Sequence, residues 1–161
     1  NIDPSTTAIE PGSGPRHIVA LPQHPLYYLL NELSNTIAVL HRTDIHHEQE
    51  FVSTLPSGYR GSSTTAEIQL SNDGRFVYAS NRGHDSVVTM AIDDRGFPYA
   101  PSWVPTHGKH PRFFCLDPTQ EWLMVANQQS DSVTVYPLVN GRPTKAASIA
   151  SIPTPTCLLF I

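Results

Sequence analysis

Lysine is nearly missing from this 161-residue chain, with Lys109 and Lys145 the only two. Charged residues of all kinds make up 15%, and the formal net charge is −4 at pH 7. A general nucleic-acid surface needs clustered Lys and Arg, so that class of partner is excluded. No apolar run approaches the roughly 20 residues of a membrane helix, and no membrane partner is expected. Asn1–Ile2–Asp3–Pro4 has neither the basic nor the apolar stretch of a secretory signal. Cys115 and Cys157 are too few for a disulfide framework. Both sit in apolar runs and are expected to be buried free thiols, consistent with a reducing, cytoplasmic setting. Helix signals are scarce too. Fifteen prolines are spread along the chain, and few proline-free stretches show a 3.6-residue period.

What is present is a succession of short β-branched and aromatic runs, separated by Asn, Asp, Gly and Pro. This pattern predicts an all-β protein. Apolar residues make up 39%, enough for one domain with a core. The runs also repeat. His17–Leu21, Leu26–Leu30, Ile37–Leu40 and Glu50–Leu55 form one set of four, and comparable sets begin near Glu67 and Phe113. In register, Asn31, Asn81 and Asn127 share one slot, Asn35, Asp85 and Asp131 a second, and Thr36, Ser86 and Ser132 a third. Four short strands recurring about every 50 residues are the signature of β-propeller blades. The expected repeats are approximately 15–56, 65–105 and 111–153, with 155–161 as the closing first strand of another blade. The shared Asn and Asx/Ser/Thr residues have a structural reason to recur, because their side chains bond the backbone of tight connections. Three blades do not close a ring, and each blade face is apolar. Missing blades, another chain or self-association must therefore cover the open faces.

First strands line a propeller's channel, so the start of each one and the residue after the repeated Asn are candidate site positions. The first group is Arg16–His17, Ala66–Glu67, Arg112–Phe113 and Thr156–Cys157; the second is Glu32, Arg82 and Gln128. A purely structural slot would keep one apolar type. His17, with an ordinary pKa of about 6.5, or Glu67 could move a proton near neutral pH. Arg16, Arg82 and Arg112 could hold a carboxylate or phosphate, and Arg60 in the loop before the second repeat could reach in as a further anion clamp. A locally basic pocket on an acidic protein suits a small anionic substrate. His41, His46 and His47, and His107 with His110, lack a recognised ligand spacing and read as surface histidines. Gly12–Ser13–Gly14 lacks the lysine and helix of a phosphate loop, and no nucleophile elbow occurs.

Gly14–Pro15–Arg16–His17, the run from Asn31 to Thr36, Thr65–Ala66–Glu67–Ile68, the run from Tyr78 to Ser86, the run from Gly108 to Arg112, and Val125–Ala126–Asn127–Gln128 together resemble the lactonase family of seven-bladed propellers. That family includes bacterial 6-phosphogluconolactonases and fungal 3-carboxy-cis,cis-muconate cyclases. The resemblance covers nearly the whole chain and implies a ring of about twice this length, of which this is the C-terminal portion. It implies lactone chemistry with no metal and no organic cofactor. It makes His17 and Glu67 the acid/base candidates and Arg60, Arg82 and Arg112 the anion-binding candidates; Arg16 and Glu32 join the substrate-binding set from their slots in the repeat. Phe113 departs from the family, which commonly has an acidic residue there. Three functions follow: hydrolysis of an anionic sugar-acid lactone such as 6-phosphogluconolactone, lactonisation of a carboxylated muconate, or an inert propeller used as a binding platform.

Overall fold

The computed structural model describes residues 9–42 and 49–160. Each cluster of turn-forming residues ends one strand and reverses the chain into the next, so the strands form antiparallel meanders. The first sheet joins β1 (Pro15–Leu21), β2 (Leu26–Asn31), β3 (Thr36–His41) and β4 (Glu50–Ser53) in chain order. The second joins β5 (Thr64–Leu70), β6 (Phe76–Arg82), β7 (Ser86–Ile92) and β8 (Pro98–Pro105). The third contains β9 (Pro111–Leu116), β10 (Trp122–Asn127) and β11 (Ser132–Val139), extended by β12 (Arg142–Pro143) and β13 (Ser148–Ser151), both paired with β11. These are three blades of a partial β-propeller. His46 and His47, read as surface histidines, lie outside the described residues. Among the described residues, no helix is long and apolar enough to cross a membrane.

Alternation along the strands sends one set of side chains to each neighbouring blade. Leu30, Ile37 and Val39 of the first blade pack with Ile68, Val77, Val88 and Met90 of the second. Tyr78 and Val87 on the far side of the second blade pack with Phe114, Leu123, Val125 and Tyr136 of the third. The hairpins after β7 and β11 press on the preceding blade. Tyr28 Oη donates to Gly96 O at 2.7 Å, and Tyr78 Oη donates to Gly141 O at 2.6 Å. Close approach demands glycine here: a Cβ on Gly96, already at φ +80°, would lie 2.7 Å from Leu26 Cδ1. Asn140 (φ 50°) and Gly141 (φ 72°) form a two-residue turn between paired Val139 and Arg142, as a type I′ hairpin requires.

The repeated polar residues work between blades as well as within them. Asn81 Nδ2 donates to Ser86 Oγ across its own turn and to Thr54 O at the end of the preceding blade. Asn127 Nδ2 bonds Ser132 Oγ and Thr106 O in the same way. Asn35, Asp85 and Asp131 all take positive φ, of 54°, 51° and 49°, a conformation that Asn and Asp tolerate better than most residues. Asp85 Oδ1 accepts the His110 amide, and Asp131 Oδ1 accepts the Thr154 amide.

Two expectations differ from the structure. Residues 155–160 do not form the expected strand. A blade's first strand is held by its second, and no strand pairs with this segment among the described residues, although the Thr154 amide makes the bond that His110 makes one blade earlier. Cys157 is exposed for the same reason, whereas Cys115 is buried and its thiol is pushed up to about 11, chiefly by burial. The leading face of the first blade is also uncovered. Ile18 is 55% exposed in the position where Ile68 is 2% and Phe114 0% exposed.

Candidate functional site

Each first strand carries an irregularity at the same place. The register slips between Pro15 and His17 in β1, between Thr65 and Ile68 in β5, and opposite Ala126–Asn127 in β9, where Pro111 and Phe113 are paired and Arg112 is not. Such bulges re-aim side chains out of the simple in-and-out alternation. Arg16, Ala66–Glu67 and Arg112 occupy them, at the end of the sheets where Glu32 and Arg82 also lie, just beyond the second strands.

His17 and Glu67 meet across the first two blades, with His17 Nδ1 3.3 Å from Glu67 Oε1. The His17 side chain is 40% exposed and that of Glu67 only 11%. Burial pushes the Glu67 carboxyl above its ordinary range, outweighing His17, the Ile68 amide and Arg16, which all favour the carboxylate. The Ile68 amide donates to Glu67 Oε1, and the Glu67 amide donates to Ser80 Oγ, so both ends of this residue are fixed. A half-open imidazole against a buried carboxyl can hold one proton between them and pass it to a group at the channel mouth.

The arginines are disposed differently from one another. Glu32 joins two of them: Arg16 Nη1 donates to its Oε2 at 3.2 Å, and Arg82 Nη2 donates to its Oε1 at 2.5 Å. The Arg82 bond, first among the causes, holds the Glu32 carboxyl below its ordinary value. Arg16 Nε also donates to Ala66 O, and Arg82 Nη2 to Thr65 O. Arg112 is half-buried and makes no hydrogen bond or ion pair among the described residues. Arg60 is exposed, and its hydrogen bond goes to the carbonyl of its own neighbour, Tyr59. The loop holding it touches the second blade through Tyr59, whose ring meets His84 edge-on at 4.7 Å.

His110 belongs beside this group, although the sequence places it with the surface histidines. Desolvation, then the positive charges of Arg82 and Arg112, hold its imidazole below the ordinary histidine value. The available signal was its position, two residues before Arg112 and at φ 60° in the link that Asp85 anchors. His107 turns away and stacks on Tyr136 with ring centres 6.4 Å apart. Clefts of about 280 and 270 Å³ lie at the opposite end of the blades, lined by Leu26, Gly96 and Phe97 and by Phe76, Tyr78 and Gly141; they share no residue with this group.

The arrangement therefore spans three blades: a proton-sharing pair, a carboxylate between two guanidinium groups, then a histidine and a further arginine. Comparison with known proteins bears on what such an arc does. The family described as "Lactonase, 7-bladed beta-propeller" matches residues 2–160. A 6-phosphogluconolactonase of Bacillus subtilis is 34% identical over 94% of this chain and 45% of its own length. Another 6-phosphogluconolactonase, from Formosa agariphila, is 36% identical over 80% of this chain and 37% of its own. Among solved structures, the Pseudomonas aeruginosa periplasmic gluconolactonase superposes with a TM-score of 0.87 at 32% identity, covering 94% of this chain and 44% of that one. The chain spans less than half the length of these relatives.

Proposed function

Because this chain belongs to the lactonase family of seven-bladed β-propellers, we propose that it contributes three blades to a ring that hydrolyses a small anionic sugar-acid lactone, such as 6-phosphogluconolactone. The observation that carries this reading is the His17–Glu67 contact, a buried carboxyl with a raised pKa sharing a proton site with a half-exposed imidazole. The pair takes a proton from the attacking water as its oxygen bonds to the lactone carbonyl carbon. When the ring C–O bond breaks, the proton returns to the leaving oxygen, so lactone and water become one hydroxy acid. Arg112, with no ion pair among the described residues, and Arg60 on its exposed loop are the cations left to hold the anionic group and the charge that develops on the carbonyl oxygen. The names of the relatives favour hydrolysis over the lactonising direction.

Ile18, exposed where its counterparts are buried, supports the companion proposal that another blade packs on the first one. Three blades provide one side of a channel, so the 161-residue chain alone is expected to lack turnover. The compartment does not follow from the family, since the Pseudomonas relative is described as periplasmic. The test is acid release by a complete ring containing these blades, measured with 6-phosphogluconolactone, with gluconolactone and, in the reverse sense, with a carboxymuconate. Failure to open either lactone would remove the hydrolase reading.

A further inference from the structure

In the sequence, Arg16 and Arg82 look like anion clamps. In the structure their hydrogen bonds go to protein. Arg16 Nε donates to Ala66 O at 2.8 Å and Arg82 Nη2 to Thr65 O at 2.6 Å. These carbonyls belong to consecutive residues, at the place where β5 slips register and leads into Glu67. A bulge disturbs the ladder and leaves backbone groups to find other partners, and here two guanidinium groups supply them. Both guanidinium groups are in turn gripped by one carboxylate, Glu32, at 3.2 and 2.5 Å. The Arg82 side chain is only 7% exposed; a charge so buried is costly unless paired, and Glu32 is its pair.

We propose that Glu32 is a positioning residue: through Arg16 and Arg82 it fixes the β5 bulge and so holds Glu67 against His17. The proposal rests on the reading of His17 and Glu67 as the proton-handling pair. The third blade provides an internal comparison. There Phe113 stands in the position of Glu67, leaving no carboxyl to aim, and Gln128 stands in the position of Glu32 and Arg82. The ion-paired device therefore occurs at the seam that has a carboxyl to place. The competing assignment is a substrate anion seated on Arg82, whose buried Nε has no partner among the described residues.

Kinetics of the complete ring separate the two. Glu32→Gln keeps the shape of the side chain and removes its charge. The expected result is a fall in kcat of about tenfold or more, as misplacement of a reacting group produces, with KM within about twofold. The groups facing Glu67 are His17 and Arg16 from β1 and Cys115 from β9, with Glu32 and Arg82 behind them. Without the Glu32 charge, the two uncompensated arginines favour the unprotonated form of the pair, so the acid limb of the kcat profile moves to lower pH. Arg16→Lys keeps the charge and loses the fork that spans Glu32 and Ala66 O; it should lower kcat similarly without moving that limb. Because Arg16 and Glu32 are partly exposed, at 22% and 29%, these variants test the proposal without emptying a core. A raised KM at unchanged kcat would make Glu32 and its arginines substrate contacts and overturn it. Unchanged kcat and an unmoved acid limb would also overturn it. His17→Ala and Glu67→Gln serve as controls: if they retain full turnover the underlying reading fails, whatever the Glu32 variants do.

Discussion

His17 and Glu67 occupy the same position in consecutive blades, and their side chains approach to 3.3 Å across the seam. Equivalent positions on neighbouring blades become adjacent at this end of the first strand, where His17 directly follows the β1 bulge and Glu67 lies in the β5 one. An arrangement built this way draws side chains from each blade in turn. In the complete ring, Glu67→Gln and His17→Ala should each lower lactone turnover by more than about tenfold, the scale of lost acid–base assistance, with circular dichroism unchanged. Near-wild-type rates in both variants would take the pair out of the reaction.

Two carboxyls of the site should move stability with pH in opposite directions. The Glu67 pKa is raised by burial, so its contribution is fullest below the ordinary glutamate value of about 4.3 and is lost as pH rises through its raised folded value. Glu67→Gln should therefore melt higher than wild type at pH 7, with the gap closing in acid. The Glu32 pKa is lowered, first by its bond with Arg82. Its contribution is present above the ordinary value and lost as pH falls through the lowered one. Glu32→Gln should melt lower at pH 7, and that gap too should close in acid. Thermal melts of the two variants from pH 3 to 8 check both signs; parallel curves would refute the assignment.

Ile18 and Ile68 give a test of what covers the first blade. Ile68→Ala empties a packed seam and should cost about 2–4 kcal/mol in any context. Ile18→Ala should cost little in the 161-residue chain, where the side chain is 55% exposed, and about as much as Ile68→Ala in the complete ring. The short chain should also self-associate through this face in light scattering, and Ile18→Lys should weaken that association. A monodisperse monomer would argue against an adhesive face.

The two thiols should differ sharply. Cys157 is exposed, while Cys115 is buried with its pKa pushed up to about 11. Ellman titration of the native 161-residue chain should find one fast thiol, with the second appearing on unfolding. Two fast thiols, or none, would contradict the placement of the last segment.

The blades were legible because each is a local event. Turn residues, alternating runs and the recurring Asn31, Asn81 and Asn127 all lie within reach of one sheet. The register of those copies also pointed to Arg16, His17, Glu32, Glu67, Arg82 and Arg112, which the fold brings to one end. What the guanidinium groups touch was not legible. Arg16 to Ala66 and Glu32 to Arg82 each bridge 50 residues, and composition does not distinguish an arginine facing solvent from one tied to a backbone carbonyl. His110 was hidden for a related reason, because its surroundings come from Arg82 on another blade. Residues 155–160 read as a strand on propensity, but pairing decides strand formation and no partner strand is described.

The repeated bulge separates two kinds of selection. The side chains it carries leave the ladder while the rest of each strand keeps its apolar pairing, so Arg16, Glu67 and Arg112 occupy places where charge can be exchanged without disturbing a blade's core. A ring of such blades is a set of interchangeable sockets: duplication supplies the socket, and point substitution refits it. On this view, trading residues at one bulge per blade changes what this end of the sheets presents and leaves the sheets themselves intact.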